Sequence, residues 1–323
     1  MQQVERQQQN GLGLIAYTVY RGGAFHMEIY RPSDGWGAPL TRGLAERFSV
    51  PYWSANNRTI AFIGERNMLY TVHVLTGAAA QIEQLEPYTL LSWSPNSRVL
   101  AYAKDGFIVL YDRMAHKMRR IPYDGAYDVN WFPSGRELLF AAPDPEGNSQ
   151  LYRMSSDGTS IQQLTNQAEG PIHNVRISPD GQFALYTSPG ASISLITTVD
   201  IVTGATVQLE GGPLAKNANP AWSPDSKRIA YSTTIYEQET YSSLIELDAV
   251  SGGRRQTITA STCYSTPVTW SPNGSLLAFL SGCPASGDPA DPTELWITGA
   301  TPHHVPFRAV QGERITALQW STS

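Results

Sequence analysis

Apolar positions in this chain fall in short runs separated by clusters of Ser, Pro, Asp, Asn and Gly, and one phrase among them recurs. An apolar anchor, usually Trp, is followed by a turn cluster, a few polar residues and a triplet of apolar, small and aromatic side chains. The copies run Trp53-Ser54-Ala55-Asn56 to Ile60-Ala61-Phe62, Trp93-Ser94-Pro95-Asn96 to Leu100-Ala101-Tyr102, and Trp131-Phe132-Pro133-Ser134-Gly135 to Leu138-Leu139-Phe140. They continue with Ile177-Ser178-Pro179-Asp180-Gly181 to Ala184-Leu185-Tyr186, Trp222-Ser223-Pro224-Asp225 to Ile229-Ala230-Tyr231, and Trp270-Ser271-Pro272-Asn273-Gly274 to Leu277-Ala278-Phe279. In all six the triplet starts seven residues after its anchor, which marks a structural repeat.

Backbone chemistry turns the phrase into strands. Proline has no N–H for a central ladder, and Asp-Gly or Asn-Gly supplies the positive φ angles of tight hairpins. The anchor therefore ends an inner strand, A, and the triplet lies in the next, B. Further apolar runs give C, as in Ile108-Val109-Leu110-Tyr111-Asp112 and Leu244-Ile245-Glu246-Leu247-Asp248. Weaker runs give D, as in Gln163-Leu164-Thr165 and Gln256-Thr257-Ile258. Four short strands repeating roughly every 40–50 residues is the period of a β-propeller blade.

A seventh anchor, Trp320-Ser321, has no B strand after it, whereas Ile15-Ala16-Tyr17 is a B triplet with no anchor before it. Strand C follows at Met27-Glu28-Ile29-Tyr30 and strand D at Pro39-Leu40-Thr41. Residues Ile315–Ser321 are expected to join these as strand A of a seventh blade. The expected fold is all-β: a seven-bladed propeller of four-stranded antiparallel blades, closed so that no sheet edge is left at the seam.

The phrase Trp-Ser-Pro-Asp/Asn-Gly, then Ile-Ala-Tyr/Phe, then a strand ending in Asp, resembles the TolB-type (WD40-like) propeller repeat from residue 11 onward. The resemblance implies a family of periplasmic adaptors, regulatory domains of serine peptidases, sensor ectodomains and a few propeller lyases. TolB itself has six blades and an added N-terminal domain. The seven expected blades here depart from that pattern and put a literal TolB role at the Tol–Pal complex in doubt.

Side chains alternate along a strand. Two residues before the anchors stand Pro51, Leu91, Val129, Val175, Pro220, Val268 and Leu318, all apolar and expected between blades. One residue before stand Tyr52, Ser92, Asn130, Arg176, Ala221, Thr269 and Gln319; three before stand Val50, Leu90, Asp128, Asn174, Asn219, Pro267 and Ala317. This second parity is expected to line the central channel and its mouth. Asp128, His173, Asn174, Arg176 and Asn219 would form its most polar arc. Either these residues hydrogen-bond channel water, or, with Tyr52, Ser92, Asn130, Thr269 and Gln319, they bind a ligand. The B–C loops open on the same face and lengthen from Lys104-Asp105-Gly106 to Thr234–Ser243 and Ser281–Thr293; the last holds Pro284, Asp288, Pro289, Asp291 and Pro292. Long loops in compact domains are often functional.

Cys263 precedes strand A of its blade and Cys283 follows strand B. Antiparallel pairing across the Asn273-Gly274 turn opposes residues whose numbers sum to about 546. Cys263 and Cys283 meet that condition, so they form either a disulfide or two adjacent thiols. A bond favours an oxidising compartment, and the expected location is periplasmic or secreted.

Composition narrows the function classes. Of 323 residues, 41% are hydrophobic and 16% charged, with a net charge of -5. No Lys/Arg cluster suited to phosphates appears, since Arg119-Arg120 and Arg254-Arg255 are isolated pairs, and a nucleic-acid partner is not expected. No run approaches the roughly 20 apolar residues of a membrane span. Residues 1–10 are polar and read as a disordered leader before a single domain, 11–323, with any signal or anchor lying outside this chain. The six histidines, His26, His73, His116, His173, His303 and His304, lack metal-site spacing. Propeller lyases use a histidine cluster with a metal at the mouth, where only His173 is expected. There is no Gly-x-Ser-x-Gly elbow, and Asp144-Pro145-Glu146-Gly147-Asn148 lacks the ligand alternation of a calcium loop. No cofactor is expected. The leading expectation is a monomeric, non-catalytic module that binds a protein, peptide or glycan at the channel mouth. The alternatives are a polysaccharide lyase or hydrolase of the propeller type, and the ectodomain of a larger receptor or sensor.

Overall fold

A computed structural model describes residues 12–166, 170–189, 194–209, 216–237, 240–284 and 291–322. The expected leader, residues 1–10, lies outside them. Strands β1 (Ile15–Arg21), β2 (Ala24–Arg31) and β3 (Trp36–Pro39) come first. Blade 1 is β4 (Tyr52–Trp53), β5 (Thr59–Gly64), β6 (Met68–His73) and β7 (Ala79–Gln84). Blade 2 is β8 (Ser92–Trp93), β9 (Val99–Lys104), β10 (Phe107–Asp112) and β11 (Lys117–Pro122). Blade 3 is β12 (Tyr127–Trp131), β13 (Glu137–Pro143), β14 (Ser149–Ser155) and β15 (Ile161–Gln163). Blade 4 is β16 (His173–Ile177), β17 (Phe183–Pro189), β18 (Ser194–Asp200) and β19 (Thr206–Leu209). Blade 5 is β20 (Lys216–Trp222), β21 (Arg228–Glu237), β22 (Thr240–Ala249) and β23 (Gln256–Ser261). Blade 6 is β24 (Val268–Trp270), β25 (Leu276–Ser281), β26 (Glu294–Gly299) and β27 (Phe307–Gln311), and β28 (Arg314–Trp320) follows.

The ring closes as its anchors require. β28 pairs antiparallel with β1, setting Trp320 opposite Ile15 and Leu318 opposite Tyr17, and blade 7 has the order β28-β1-β2-β3. The protein is a seven-bladed, four-stranded antiparallel propeller. Its outer strand in blade 7 is Trp36–Pro39, so Leu40 and Thr41, expected within it, lie just past its end; both their N–H groups donate to the Met27 carbonyl, at 2.8 and 3.0 Å. One expected loop is not a loop. Across Thr234–Ser243 the ladder of β21 and β22 continues to the pair Glu237 and Thr240, making a hairpin of ten-residue strands. Those strands exceed the six- and seven-residue B strands of other blades by three or four residues, an extra reach of about 10 Å. Nearby, Ser194 and Lys216 pair in parallel and join blades 4 and 5 into one sheet.

The repeated phrase earns its conservation of spacing twice over. The triplet aromatics Phe62, Tyr102, Phe140, Tyr186, Tyr231 and Phe279 are all but fully buried, each contributing about 1.5–3 kcal/mol relative to exposure. They stand in clusters that span neighbouring blades, such as Ala101, Ile108, Val129, Trp131, Leu138 and Phe140 between blades 2 and 3. The turn after the anchor is held by its serine: Ser54 Oγ donates to Asn56 Oδ1 at 2.9 Å and accepts from Thr59 N–H at 3.0 Å. The same two bonds recur at Ser94, Ser178, Ser223 and Ser271. Anchor indoles link the blades. Trp53 Nε1 donates to the Gln319 carbonyl at 3.0 Å, Trp93 Nε1 to Tyr52 at 2.9 Å, Trp222 Nε1 to Arg176 at 3.5 Å and Trp270 Nε1 to Ala221 at 3.0 Å. Each acceptor is the residue before the preceding blade's anchor. Trp131 and Trp320 break the series: Trp131 Nε1 is buried without a partner, and Trp320 Nε1 donates to the Leu12 carbonyl.

Candidate binding site at the channel mouth

The B–C hairpins and the D–A connections meet on one face, which is the mouth; the A–B turns lie on the other. At the mouth the inner strands of blades 3, 4 and 5 carry a bulge. Their register slips between Tyr127 and Asn130, His173 and Arg176, and Ala218 and Ala221. The residues in the slips, Asp128, Asn174 and Asn219, have φ of 52°, 55° and 52°. Asp and Asn are the non-glycine residues that tolerate this left-handed conformation best. Their identity is therefore first a backbone requirement. In blades 1, 2 and 6 the left-handed residue lies five positions before the anchor instead, at Phe48 (71°), Tyr88 (64°) and Ser265 (46°). For bulky Phe and Tyr this costs on the order of 1–3 kcal/mol each.

Much of the expected polar arc is occupied in stitching blades together. Ser92 Oγ accepts from Trp131 N–H at 2.9 Å, and Thr269 Oγ1 from Trp320 N–H at 3.2 Å. Asn130 Nδ2 donates to the carbonyls of Asp128 and Val175, at 2.9 and 3.0 Å. Asn219 Nδ2 donates to the Ser265 carbonyl at 2.7 Å, and Asn174 Nδ2 to Thr187 Oγ1 at 3.1 Å. Gln319 is half-buried and contributes its carbonyl to Trp53. These bonds give the side chains of Ser92, Thr269, Asn130, Asn174 and Asn219 a structural task.

Four expected residues are brought together differently. Tyr52 on blade 1 and Arg176 on blade 4 stand three blades apart in a ring of seven, nearly opposite each other across the axis. Even so, the Tyr52 phenol lies beside the Arg176 guanidinium: burial pushes the phenol's pKa up, Arg176 opposes that, and Asp128 adds to it. The two side chains therefore meet across the channel. Asp128 accepts from Val175 N–H through Oδ2 at 3.2 Å. Burial pushes its carboxyl above the ordinary range against the pull of that N–H, Arg176 and His173. His173 is exposed, with its ring 6.4 Å from that of Tyr127 on the adjacent blade. Chemically this group can donate, accept and orient. Among the described residues no three His, Cys, Asp or Glu side chains gather as a metal set.

The rim has features that parity around the anchor did not reveal. Phe48 is 45% exposed and Tyr88 82%. Arg47 stacks over Phe48 at 4.7 Å and pairs with Asp291 at 2.7 Å, tying the entry to blade 1 to the blade 6 loop. The signal for Phe48 and Tyr88 was their shared place five residues before an anchor. Of that blade 6 loop, residues 285–290, including Asp288 and Pro289, lie outside the described residues. Its start is fixed by a disulfide between Cys263 and Cys283, with Cα atoms 5.1 Å apart. Two open grooves of about 420 Å³ lie away from the mouth; one runs past Tyr17, Arg21, Glu28 and Val310 on the flank of blade 7.

The TolB beta propeller domain family matches residues 15–243. The chain belongs to that family. A TolB propeller of this kind has relatives of several sorts. The Protein TolB homolog of Chlorobium chlorochromatii (strain CaD3) is 27% identical over 173 residues, covering 51% of this chain and 37% of that protein. The uncharacterized peptidase YuxL of Bacillus subtilis (strain 168) is 25% identical over 211 residues, covering 65% of this chain and 25% of that one. The matches thus span 37% and 25% of these relatives' own lengths. Among solved structures, TolB from Acinetobacter baumannii superposes with a TM-score of 0.56 at 16% identity, covering 99% of this chain and 86% of that one. Oligogalacturonate lyase in complex with manganese gives 0.65 at 12% identity, covering 93% and 85%. At these identities the likeness is one of fold.

Proposed function

We propose that this TolB propeller is a non-catalytic recognition module, acting as a monomer, that holds a protein, peptide or glycan partner at the channel mouth. The observation that supports this reading is the meeting of Tyr52, Asp128, His173 and Arg176 at the mouth, where donors, acceptors and a cation converge as a concave binding site requires. These groups hydrogen-bond and orient; no nucleophile held by a base accompanies them among the described residues. The disulfide supports an extracytoplasmic setting, periplasmic or secreted. The test is site-specific photocrosslinking in the source cell. A crosslinker at Tyr88, on the mouth rim, should capture a discrete partner, and one at Ser134, on an A–B turn, should not. Equal capture from both positions refutes the reading.

A second reading, a polysaccharide lyase, is favoured by exposed His173 beside Asp128 and by the fold shared with the lyase. It predicts manganese-dependent release of unsaturated products from oligogalacturonate, abolished in His173→Ala. Such turnover would replace the recognition reading. A third, the ectodomain of a larger receptor or sensor, predicts that the extracted native protein migrates well above 35.4 kDa.

A further inference from the structure

We infer that the mouth captures a carboxylate of a peptide partner, with Arg176 as its anchoring cation. The inference rests on the recognition reading and adds the ligand's chemistry to it.

The charge inventory of the channel wall carries the argument. One and three positions before the anchors, the only side chains ionisable in the ordinary range are Asp128 and Arg176; most of the others are Ser, Thr, Asn, Gln or apolar. Among the described residues Arg176 belongs to none of the ion pairs. Its guanidinium gives one hydrogen bond to a protein carbonyl, Nη1 to Val175 at 3.1 Å, and neighbours the Tyr52 phenol. A guanidinium has five N–H donors in a planar fork that matches a carboxylate. Donors are therefore left over for a ligand, and Tyr52 limits the rotamers from which they are presented. Asp128 forms no ion pair with it among the described residues, and its Oδ2 accepts from Val175 N–H instead. A cation held in a narrow channel with donors to spare focuses potential on incoming anions.

The opposite wall indicates which anion. On the far side of the channel, blade 1 opposite Arg176 and blade 2 beside it present Phe48, Tyr88, Val50 and Leu90, none of them buried. The two aromatics are displayed at the cost of left-handed backbone. A peptide residue offers a carboxylate and apolar side chains within a few bonds of one another, which suits a cation facing an apolar rim. A polyuronide carries a carboxylate on every ring and calls for a row of cations. The described wall positions supply one, and Arg47 at the rim is committed to Asp291.

The test exposes immobilised protein to a degenerate hexapeptide library prepared both as free acids and as C-terminal amides, with retained peptides read by mass spectrometry. Free acids should be retained roughly tenfold or more over amides, the worth of one charge-assisted contact. Arg176→Met should bring the ratio near one, and Arg176→Lys should restore part of it while both variants melt like the parent. If instead amides are retained only when they contain Asp or Glu, and Arg176→Met abolishes this, the inference holds with a side-chain carboxylate as the source. Equal retention of acidic and neutral peptides, or a preference that survives Arg176→Met, overturns the inference and leaves recognition at the mouth standing. Preferential displacement of the peptides by oligogalacturonate overturns it in favour of a uronide. Retention of no peptide also overturns it, and the Tyr88 crosslink then decides separately whether the mouth recognises anything.

Discussion

Two tryptophans in adjacent blades offer a controlled measurement of the indole ladder. Trp93 and Trp131 are equally buried, at 9% and 8% exposure, and hold the same place in the repeat. Trp93 Nε1 has an acceptor in Tyr52, whereas Trp131 Nε1 has none. Replacing either by Phe removes similar apolar contact, worth about 1 kcal/mol. Trp93→Phe also deletes the bond and leaves the Tyr52 carbonyl without that donor, a further loss of about 1–3 kcal/mol. The expected total is about 2–4 kcal/mol. Trp131→Phe instead removes a buried, unpaired donor and regains about 1–3 kcal/mol, so that variant should be near neutral or more stable than the parent. Urea unfolding followed by both fluorescence and circular dichroism checks this, provided the two probes give coincident transitions. Equal destabilisation by the two substitutions would refute the claim that blade-to-blade indole bonds, rather than indole bulk, stabilise the inner ring.

Three further outcomes are expected. The Cys263–Cys283 bond closes a loop with a sequence separation of 20 and should contribute about 3 kcal/mol in the chain-entropy treatment; a double Cys→Ser variant that melts with the parent argues otherwise. Ending the chain before Arg314 removes buried Ile315, Leu318 and Trp320 from the seam of blade 7 and should cause aggregation; a truncated protein with parental melting behaviour would contradict the closure. Asp128 has a raised folded-state pKa, so between its ordinary and raised values the folded state binds more protons than the unfolded one. Its contribution to stability is therefore fully present below the ordinary carboxylate pKa and is lost as pH rises through the raised value. Asp128→Asn should lack that fall and be at least as stable at neutral pH, and superimposable pH–stability curves for variant and parent would count against it.

The blades were legible because each copy of the repeat states its own turn chemistry and buries its own triplet, so spacing alone located strands A and B. The closure was legible because Trp320 and Ile15-Ala16-Tyr17 are two halves of one copy. The mouth was less so. Asp128, Asn174 and Asn219 read as polar wall, whereas their residue types answer to left-handed bulges, and a bulge leaves no mark on a parity count. The pairing of Tyr52 with Arg176 depends on the ring's diameter, which no local pattern encodes. The hairpin across 234–243 lacks apolar alternation at its tip, so its continuing ladder could not be told from a loop.

The seam of blade 7 also sets a schedule. Ile15 waits for Trp320, 305 residues later by difference of their numbers. At synthesis rates of about 5–20 residues per second, that wait lasts roughly 15–60 seconds. Blades 1 to 6 are each contiguous in sequence and can form as they are made. The β1–β2 hairpin meanwhile presents Ile15, Tyr17 and Val19, all buried in the finished ring, along an unpaired edge. Of the whole propeller, this N-terminal hairpin is the segment on which a chaperone has longest to act, and its rescue or loss is decided before the last anchor exists.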